Sequence, residues 1–296
     1  MHLAVAPVLA GLVVGLVVGL TGSGGGALLT PVLILVLHVK AKTAVASDLV
    51  ATLFMRPVAG AVHLGRRTVR WPLVAWLAMG SVPAAFASGW VSHAVITTAQ
   101  NKTVLEPLVG CALLVSGAAA VGRRVARSRR SPEGDGEPYV FRVKPLVSIL
   151  IGLLGGAVVG FTSVGSGTLM LVALSFTYPL LTPAELVGTD LIQAVPLVGA
   201  AALGHFVGGD LKLALTTSVV VGGVPGAAAG ALLSRSVPQM PLGVIVAAVI
   251  FGSGLALVGW GWWVVAVPAA ALFLGGLWWW RRRADAGLLE TLEPAS

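Results

Sequence analysis

Gly19-Leu-Thr-Gly-Ser-Gly-Gly-Gly-Ala-Leu-Leu-Thr-Pro31 interrupts an apolar run with glycines and small hydroxyl side chains, and the interruption returns at Gly160-Phe-Thr-Ser-Val-Gly-Ser-Gly-Thr-Leu-Met170. An apolar segment has to bend at such a stretch. In hydrocarbon a bend leaves amides without helical partners, which is tolerated only where protein or a polar cavity replaces them. A matched pair of breaks in the two halves of a membrane chain points to a transport site.

The register extends well beyond the breaks. Gly11, Gly15 and Gly19 correspond to Gly152, Gly156 and Gly160 at one constant spacing. After a slip of one residue, Ser47-Asp48-Leu49 falls on Thr189-Asp190-Leu191, His63 on His205, and Gly80-Ser-Val-Pro83 on Gly222-Gly-Val-Pro225. The chain is therefore an internal duplication with a long period, not a solenoid.

Composition fixes the class. Of 296 residues, 57% are hydrophobic and 10% charged, against about 25% charged in a soluble domain. The mean hydropathy is +0.96. The net charge of +8 does not indicate nucleic-acid binding, because the basic residues lie between apolar segments as positive-inside loops do. The one cysteine, Cys111, excludes an intrachain disulfide and a cysteine-rich metal site, and is expected to be a small buried packing residue. No metal site is expected. The N-terminal run lacks a positive n-region and a clear cleavage site, so it reads as a retained membrane segment.

Apolar segments fall at 3–21, 25–38, 43–64, 71–92 and 103–122, then at 145–162, 167–181, 184–206, 212–234 and 240–258, with an extra one at 260–280. Most reach the approximately 20 residues that cross a bilayer. Segments 25–38 and 167–181 do not, reaching only about 21–23 Å as helices. Each either starts inside the membrane or forms a re-entrant hairpin with the segment before it. The expected organisation is an N-terminal repeat at 1–122, a basic cytoplasmic linker at 123–143, a C-terminal repeat at 144–258, an extra transmembrane helix at 259–283 and a cytoplasmic tail at 284–296.

Charge sets the orientation. Arg66, Arg67 and Arg70, the linker arginines 123, 124, 127, 129, 130 and 142 with Lys144, and Arg281 to Arg283 form three basic clusters, all expected in the cytoplasm. The counterpart of the first cluster, Gly208-Gly-Asp-Leu-Lys212, has lost most of its positive charge, as an outward loop would. Five segments per half then make the repeat inverted, with the N-terminus outside, whereas a pair acting as one broken span would make the repeats parallel. Trp71, Trp90, Trp260, Trp262, Trp263 and Trp278 to Trp280 sit at segment ends as interfacial anchors. The fold class is an all-α polytopic integral membrane protein of two pseudo-symmetric halves with glycine-broken or re-entrant helices.

Gly-x-x-x-Gly-Leu-Thr-Gly-Ser-Gly-Gly-Gly-x-Leu-x-x-Pro at 15–31, its degenerate copy near 160–170 and the two His-bearing segments resemble the TauE/SafE family of sulfite and organosulfonate exporters, over roughly residues 5–258. The resemblance implies secondary transport, by export, of small sulfur-containing anions across the cell membrane. Partners would be the anion and the lipid bilayer, with a coupling proton and a homo-oligomer both allowed and no cofactor.

The residues themselves offer several places for that chemistry. Helices beginning after the breaks would aim unpaired amides and a positive dipole end at the loops. Thr21, Ser23, Gly24, Gly25 and Gly26, with Thr162, Ser163, Gly165, Ser166 and Gly167, are thus candidate anion ligands; the alternative is that the glycines only permit close packing. The GxxxGxxxG faces themselves read as packing. The run lacks the GKS or GKT ending and βαβ context of a nucleotide site.

Arg56 lies mid-segment, where an arginine costs about 2.5–3.5 kcal/mol. It attracts or coordinates the anion, pairs with Asp48, or snorkels. Gln193 is a further polar group placed to line a cavity. Asp48 and Asp190 read as first-turn helix caps or, alternatively, as proton-linked carboxylates. His63 and His205 could carry protons near neutral pH, against the plainer reading of interfacial structural histidines. The rivals to a carrier are an anion channel, a transporter of another organic anion and, behind both, an intramembrane enzyme. The last lacks any nucleophile–base or HExxH arrangement.

Overall fold

The computed structural model describes residues 4–21, 26–65, 68–95, 101–128, 143–234 and 239–259. Ten α-helices run through them: α1 Val5–Thr21, α2 Gly26–Leu35, α3 Ala41–Gly65, α4 Trp71–Val95, α5 Glu106–Ser128, α6 Pro145–Thr162, α7 Leu169–Thr177, α8 Pro183–Val207, α9 Leu213–Leu233 and α10 Gln239–Leu257. A π turn at Asn101–Leu105 leads into α5. Among the described residues there is no strand. Four helices, α4, α6, α8 and α9, are long and apolar enough to cross a membrane by themselves. Helix α3 is as long as α4 but carries Lys42, Asp48 and Arg56, and all three side chains are buried.

The duplication is repeated in the packing. Helix α1 lies against α9, and its counterpart α6 lies against α4, the counterpart of α9. Each half therefore contributes its first helix to the other half's fourth. Both contacts are glycine-to-backbone. A Cβ on Gly11, Gly15 or Gly19 would collide with the carbonyls of Val219, Gly223 and Ala227 in turn. One on Gly152 or Gly156 would collide with those of Leu77 and Ser81, and one on Gly160 with Ser88. The GxxxGxxxG faces are packing faces. Because the contact numbers rise together, α1 runs parallel to α9 and α6 parallel to α4.

The equivalent helices α5 and α10 run antiparallel. Gly110 lies against Gly254 and Val258, whereas Gly117 lies against Phe251. Helices α3 and α8 are antiparallel too. Lys42, at the start of α3, donates to the His93 carbonyl at 3.4 Å, and His93 packs on Gly208 just beyond α8. At the far end Arg70, beyond α3, donates its amide to Thr189 at 3.1 Å and pairs with Glu185, both on α8. Ser47 and Thr189 are equivalent positions with equivalent work. The first bonds Thr216 on α9 at 3.0 Å, the second ties down the start of α4.

Of the two readings of the short segments, α6 and α7 form the hairpin. The Tyr178 hydroxyl, just after α7, accepts the Lys144 amide at 3.0 Å and bonds Ser148 at 2.6 Å, so the end of α7 returns to the start of α6. Its nine residues cover only about 14 Å. The second glycine stretch is the hairpin tip. Ser163 closes α6 in the left-handed region (φ 58°) with its amide on the Val159 carbonyl at 2.7 Å. Gly165 follows at φ +107°, where a side chain would be strained.

Three expectations are corrected. Asp48 and Asp190 do not cap helices: α3 begins at Ala41 and α8 at Pro183, so each carboxylate sits about two turns inside. The cap of α8 is Thr182, in a reciprocal capping box with Glu185. Cys111 is exposed, on the outer side of α5. Helix α5 also continues to Ser128, so Arg123, Arg124 and Arg127 belong to its last turns and not to an extended linker. The extra segment at 260–280, the tail, and Trp260, Trp262, Trp263 and Trp278 to Trp280 lie outside the described residues.

Candidate functional site

Helix α3 brings two charged side chains to the tip of the α6–α7 hairpin. Asp48, fully buried, receives three hydroxyl hydrogen bonds: from Thr30 on α2 at 2.5 Å, from Ser163 at the tip at 3.0 Å, and from Thr52 one turn along α3 at 3.0 Å. A carboxylate is an acceptor at both oxygens, and hydroxyl donors at each satisfy it without a cation. Asp48 thereby fastens α2, α3 and the hairpin tip together.

Two turns further on, Arg56 is 1% exposed, the largest fully buried side chain among the described residues. Its Nη2 donates to the Ser166 carbonyl at 3.1 Å and to the Ser166 hydroxyl at 2.5 Å. Among the described residues its Nε and Nη1 have no acceptor. Nor does it form an ion pair with Asp48; the carboxylates of Asp190 and Asp48 are electrostatic neighbours only. A buried guanidinium with Nη2 in use and Nε and Nη1 idle can still hold an oxyanion, each idle nitrogen donating separately because both paired edges of the group include Nη2.

Gln193 is buried on α8 and donates through Nε2 to Ser81 on α4 at 2.6 Å, while its Oε1 has no donor among the described residues. Asp190 is buried one turn before it. Other candidates have local duties. Thr162 bonds back to the Val158 carbonyl at 2.6 Å and receives the Val164 amide at 3.1 Å. Thr21 bonds the Val17 carbonyl at 2.8 Å. The Gly165 carbonyl accepts the Met170 amide at 3.2 Å, and Gly167 is buried beside it. Thr168 at the head of α7 bonds Ser116 on α5. Ser23, Gly24 and Gly25, the side chain of His63, and the surroundings of Gly26 lie outside the described residues.

His205 is fully buried in the last turn of α8. Its Nε2 is 2.8 Å from the Gly160 carbonyl and its Nδ1 is 3.3 Å from Asp210. Among the described residues no group of three metal-ligating side chains occurs. An apolar cleft of about 200 Å³ lined by Leu154, Val158, Leu169 and Ala173 opens beside the hairpin. It holds nothing to bind an anion.

Sequence reading missed Thr30, Thr52 and Ser81, since a lone hydroxyl in an apolar helix normally bonds its own backbone. Their partners, Asp48 and Gln193, were the available signal.

A chain built this way matches the family described as "Sulfite exporter TauE/SafE" over residues 8–257. It belongs to the TauE/SafE family. A Bacillus subtilis (strain 168) relative, "Probable membrane transporter protein YjnA", is 34% identical over 257 residues, covering 86% of this chain and all of the relative. A second from the same organism, "Probable membrane transporter protein YunE", is 22% identical over 262 residues, covering 85% of this chain and 96% of the relative. None of the solved structures matches. As a TauE/SafE member with these relatives and this run of apolar helices, the protein is a multi-pass membrane transporter of the cell membrane.

Proposed function

We propose that this TauE/SafE protein exports a small sulfur-containing anion, sulfite or an organosulfonate, by secondary transport, and that Arg56 holds the anion against the second glycine loop. The observation carrying the reading is the buried Arg56, with Nη2 on Ser166 and two donors without acceptors among the described residues. The family description supplies the sulfur oxyanion. Ser166 Oγ and the amides that open α7 would serve the remaining oxygens, as helix N-termini do. Gln193 and the first loop, with Ser23, Gly24, Gly25 and Gly26, would complete the cavity.

The repeats 1–122 and 144–258 are taken as inverted, a reading supported by the antiparallel α3–α8 and α5–α10 pairs. The basic clusters would then face the cytoplasm. The test is flux of labelled sulfite, a taurine-like sulfonate and sulfate in proteoliposomes. Saturable transport of one sulfur anion, lost in Arg56→Gln protein that remains folded, is expected. Undiminished flux in that variant removes Arg56 from the site, and unsaturable current in the wild type makes the protein a channel.

A further inference from the structure

At the end of the bundle where α8 passes into α9, Asp210 lies between two histidines, its own side chain 8% exposed. Its Oδ1 faces Nδ1 of His93 on α4 at 3.3 Å, and its Oδ2 faces Nδ1 of His205 on α8 at 3.3 Å. The His93 side chain is 53% exposed, whereas that of His205 is fully buried. The row thus leads from the surface to the interior.

Counting hydrogens along it leaves a vacancy for one. His205 Nε2 lies 2.8 Å from the Gly160 carbonyl. A carbonyl can only accept, so Nε2 bears the hydrogen. In a neutral ring Nδ1 then presents a lone pair to a carboxylate oxygen. Two acceptors facing each other in a dry interior repel, and the contact is favourable only with an added proton between Nδ1 and Oδ2. His93 needs no such addition, because a neutral ring with its hydrogen on Nδ1 satisfies Oδ1.

We propose that the His205–Asp210 pair binds the proton this transporter couples to its anion, loaded from the membrane surface through His93. Loading adds one proton and expels nothing. A proton taken up by the outer nitrogen of His93 releases the one on Nδ1 to Asp210, and carboxyl rotation passes it to His205; His93, neutral with its hydrogen on the outer nitrogen, regains the Nδ1 tautomer by exchange with water at its exposed face. The other charges here are few. Helix α3 contributes Lys42, bonded to the His93 carbonyl and acting on Asp210. Lys212 follows in the same connection, and α6 contributes no titratable residue, only the Gly160 carbonyl. Burial pushes the Asp210 carboxyl up, but hydrogen bonds with His205 and His93 and the charges of His205 and Lys42 hold it below its ordinary range. The carboxylate is thereby kept charged opposite the ring.

The pair reaches the anion site through α6. Gly160, held by His205, lies three residues before Ser163, the partner of Asp48, and six before Ser166 at the hairpin tip, the partner of Arg56. Losing the proton sets His205 against Asp210 and loosens its hold on the hairpin tip that engages Arg56. The coupling rests on the anion reading of Arg56; the proton site does not.

Two measurements separate them. In ¹⁵N-histidine spectra of the full-length protein, His205 should carry hydrogen on both nitrogens when Asp210 faces it, and on Nε2 alone in Asp210→Asn. A neutral His205 in the wild type that ignores this substitution overturns the proton site. In proteoliposomes, Asp210→Asn and His205→Gln, whose amide can still donate to Gly160, should lower pH-gradient-driven accumulation about tenfold, within the usual range of coupling between two sites. Exchange of labelled sulfite without a gradient should survive. Gradient drive intact in both variants overturns the coupling. Wild-type protein that exchanges none of the sulfur anions overturns the Arg56 reading, while the spectra still decide the proton site.

Discussion

Ser163 Oγ donates to Asp48 Oδ2 at 3.0 Å, joining the hairpin tip of the second half to a helix of the first across 115 positions of sequence. Thr30 and Thr52 complete the set, so the carboxylate is the one group that all three hydroxyls need. Asp48→Asn replaces one accepting oxygen by a donor and strands at least one buried hydroxyl. Each such orphan costs about 1–3 kcal/mol. The variant should unfold at lower temperature in detergent than the wild type, and an unchanged melting curve would refute the fastening role.

Arg56→Lys separates charge from shape. Lysine keeps the positive charge but loses the planar array, and with it the separate donors at Nε and Nη1. Affinity for sulfite should fall, read as a raised half-saturation concentration, while folding is retained. Ser166→Ala should be milder. The carbonyl still accepts from Nη2, so the loss is one hydrogen bond, about 1.5–3 kcal/mol at a charged group. Equal affinity in Arg56→Lys and wild type would show that charge alone suffices.

The glycine faces make a sharper contrast. Gly15→Ala puts a methyl group into the Gly223 carbonyl, a backbone atom that cannot step aside. Overpacking of this kind costs about 1–3 kcal/mol, occasionally more. Gly199→Ala meets only Leu53 Cδ1 at 3.5 Å, an ordinary contact with a movable side chain. The first substitution should reduce the yield of monodisperse protein and its melting temperature; the second should do neither. Equal behaviour would argue that α1 and α9 are not in close register.

Asp210 gives a stability that depends on pH. Burial works against its ionised form, yet its hydrogen bonds and neighbouring cations outweigh burial and lower its proton affinity. A group depressed in the folded state stabilises above its unfolded pKa and loses that contribution as the pH falls through the folded one. Wild-type protein should therefore weaken on acidification below the ordinary carboxylate range, and Asp210→Asn should flatten that part of the profile. Melting curves between neutral and acid pH decide it.

Much of this fold was legible because glycine, proline and charge are conspicuous in an apolar chain. Gly11, Gly15 and Gly19 with their counterparts announced the repeat and its packing faces, and Arg56 announced itself by cost. Helix starts were less legible. Asp48 and Asp190 read as first-turn caps, yet the apolar segments at 43–64 and 184–206 already start ahead of them, and α3 and α8 begin further out still, at Ala41 and Pro183. Asp210 and His93 drew no notice, since each is unremarkable until α4 and α8 are laid side by side. Proximity between distant segments is what a linear reading lacks.

The exchange of first helices between halves bears on how the chain is made. Helix α1 leaves the ribosome long before its partner α9, and until residues near Gly230 are synthesised the carbonyls on which its glycine face packs are not yet made. Neither half can finish alone. The nascent protein must hold a loosely assembled intermediate in the bilayer through most of its synthesis, and final locking is a late event in its biogenesis. The two halves produced as separate polypeptides should accordingly be degraded singly and rescued together.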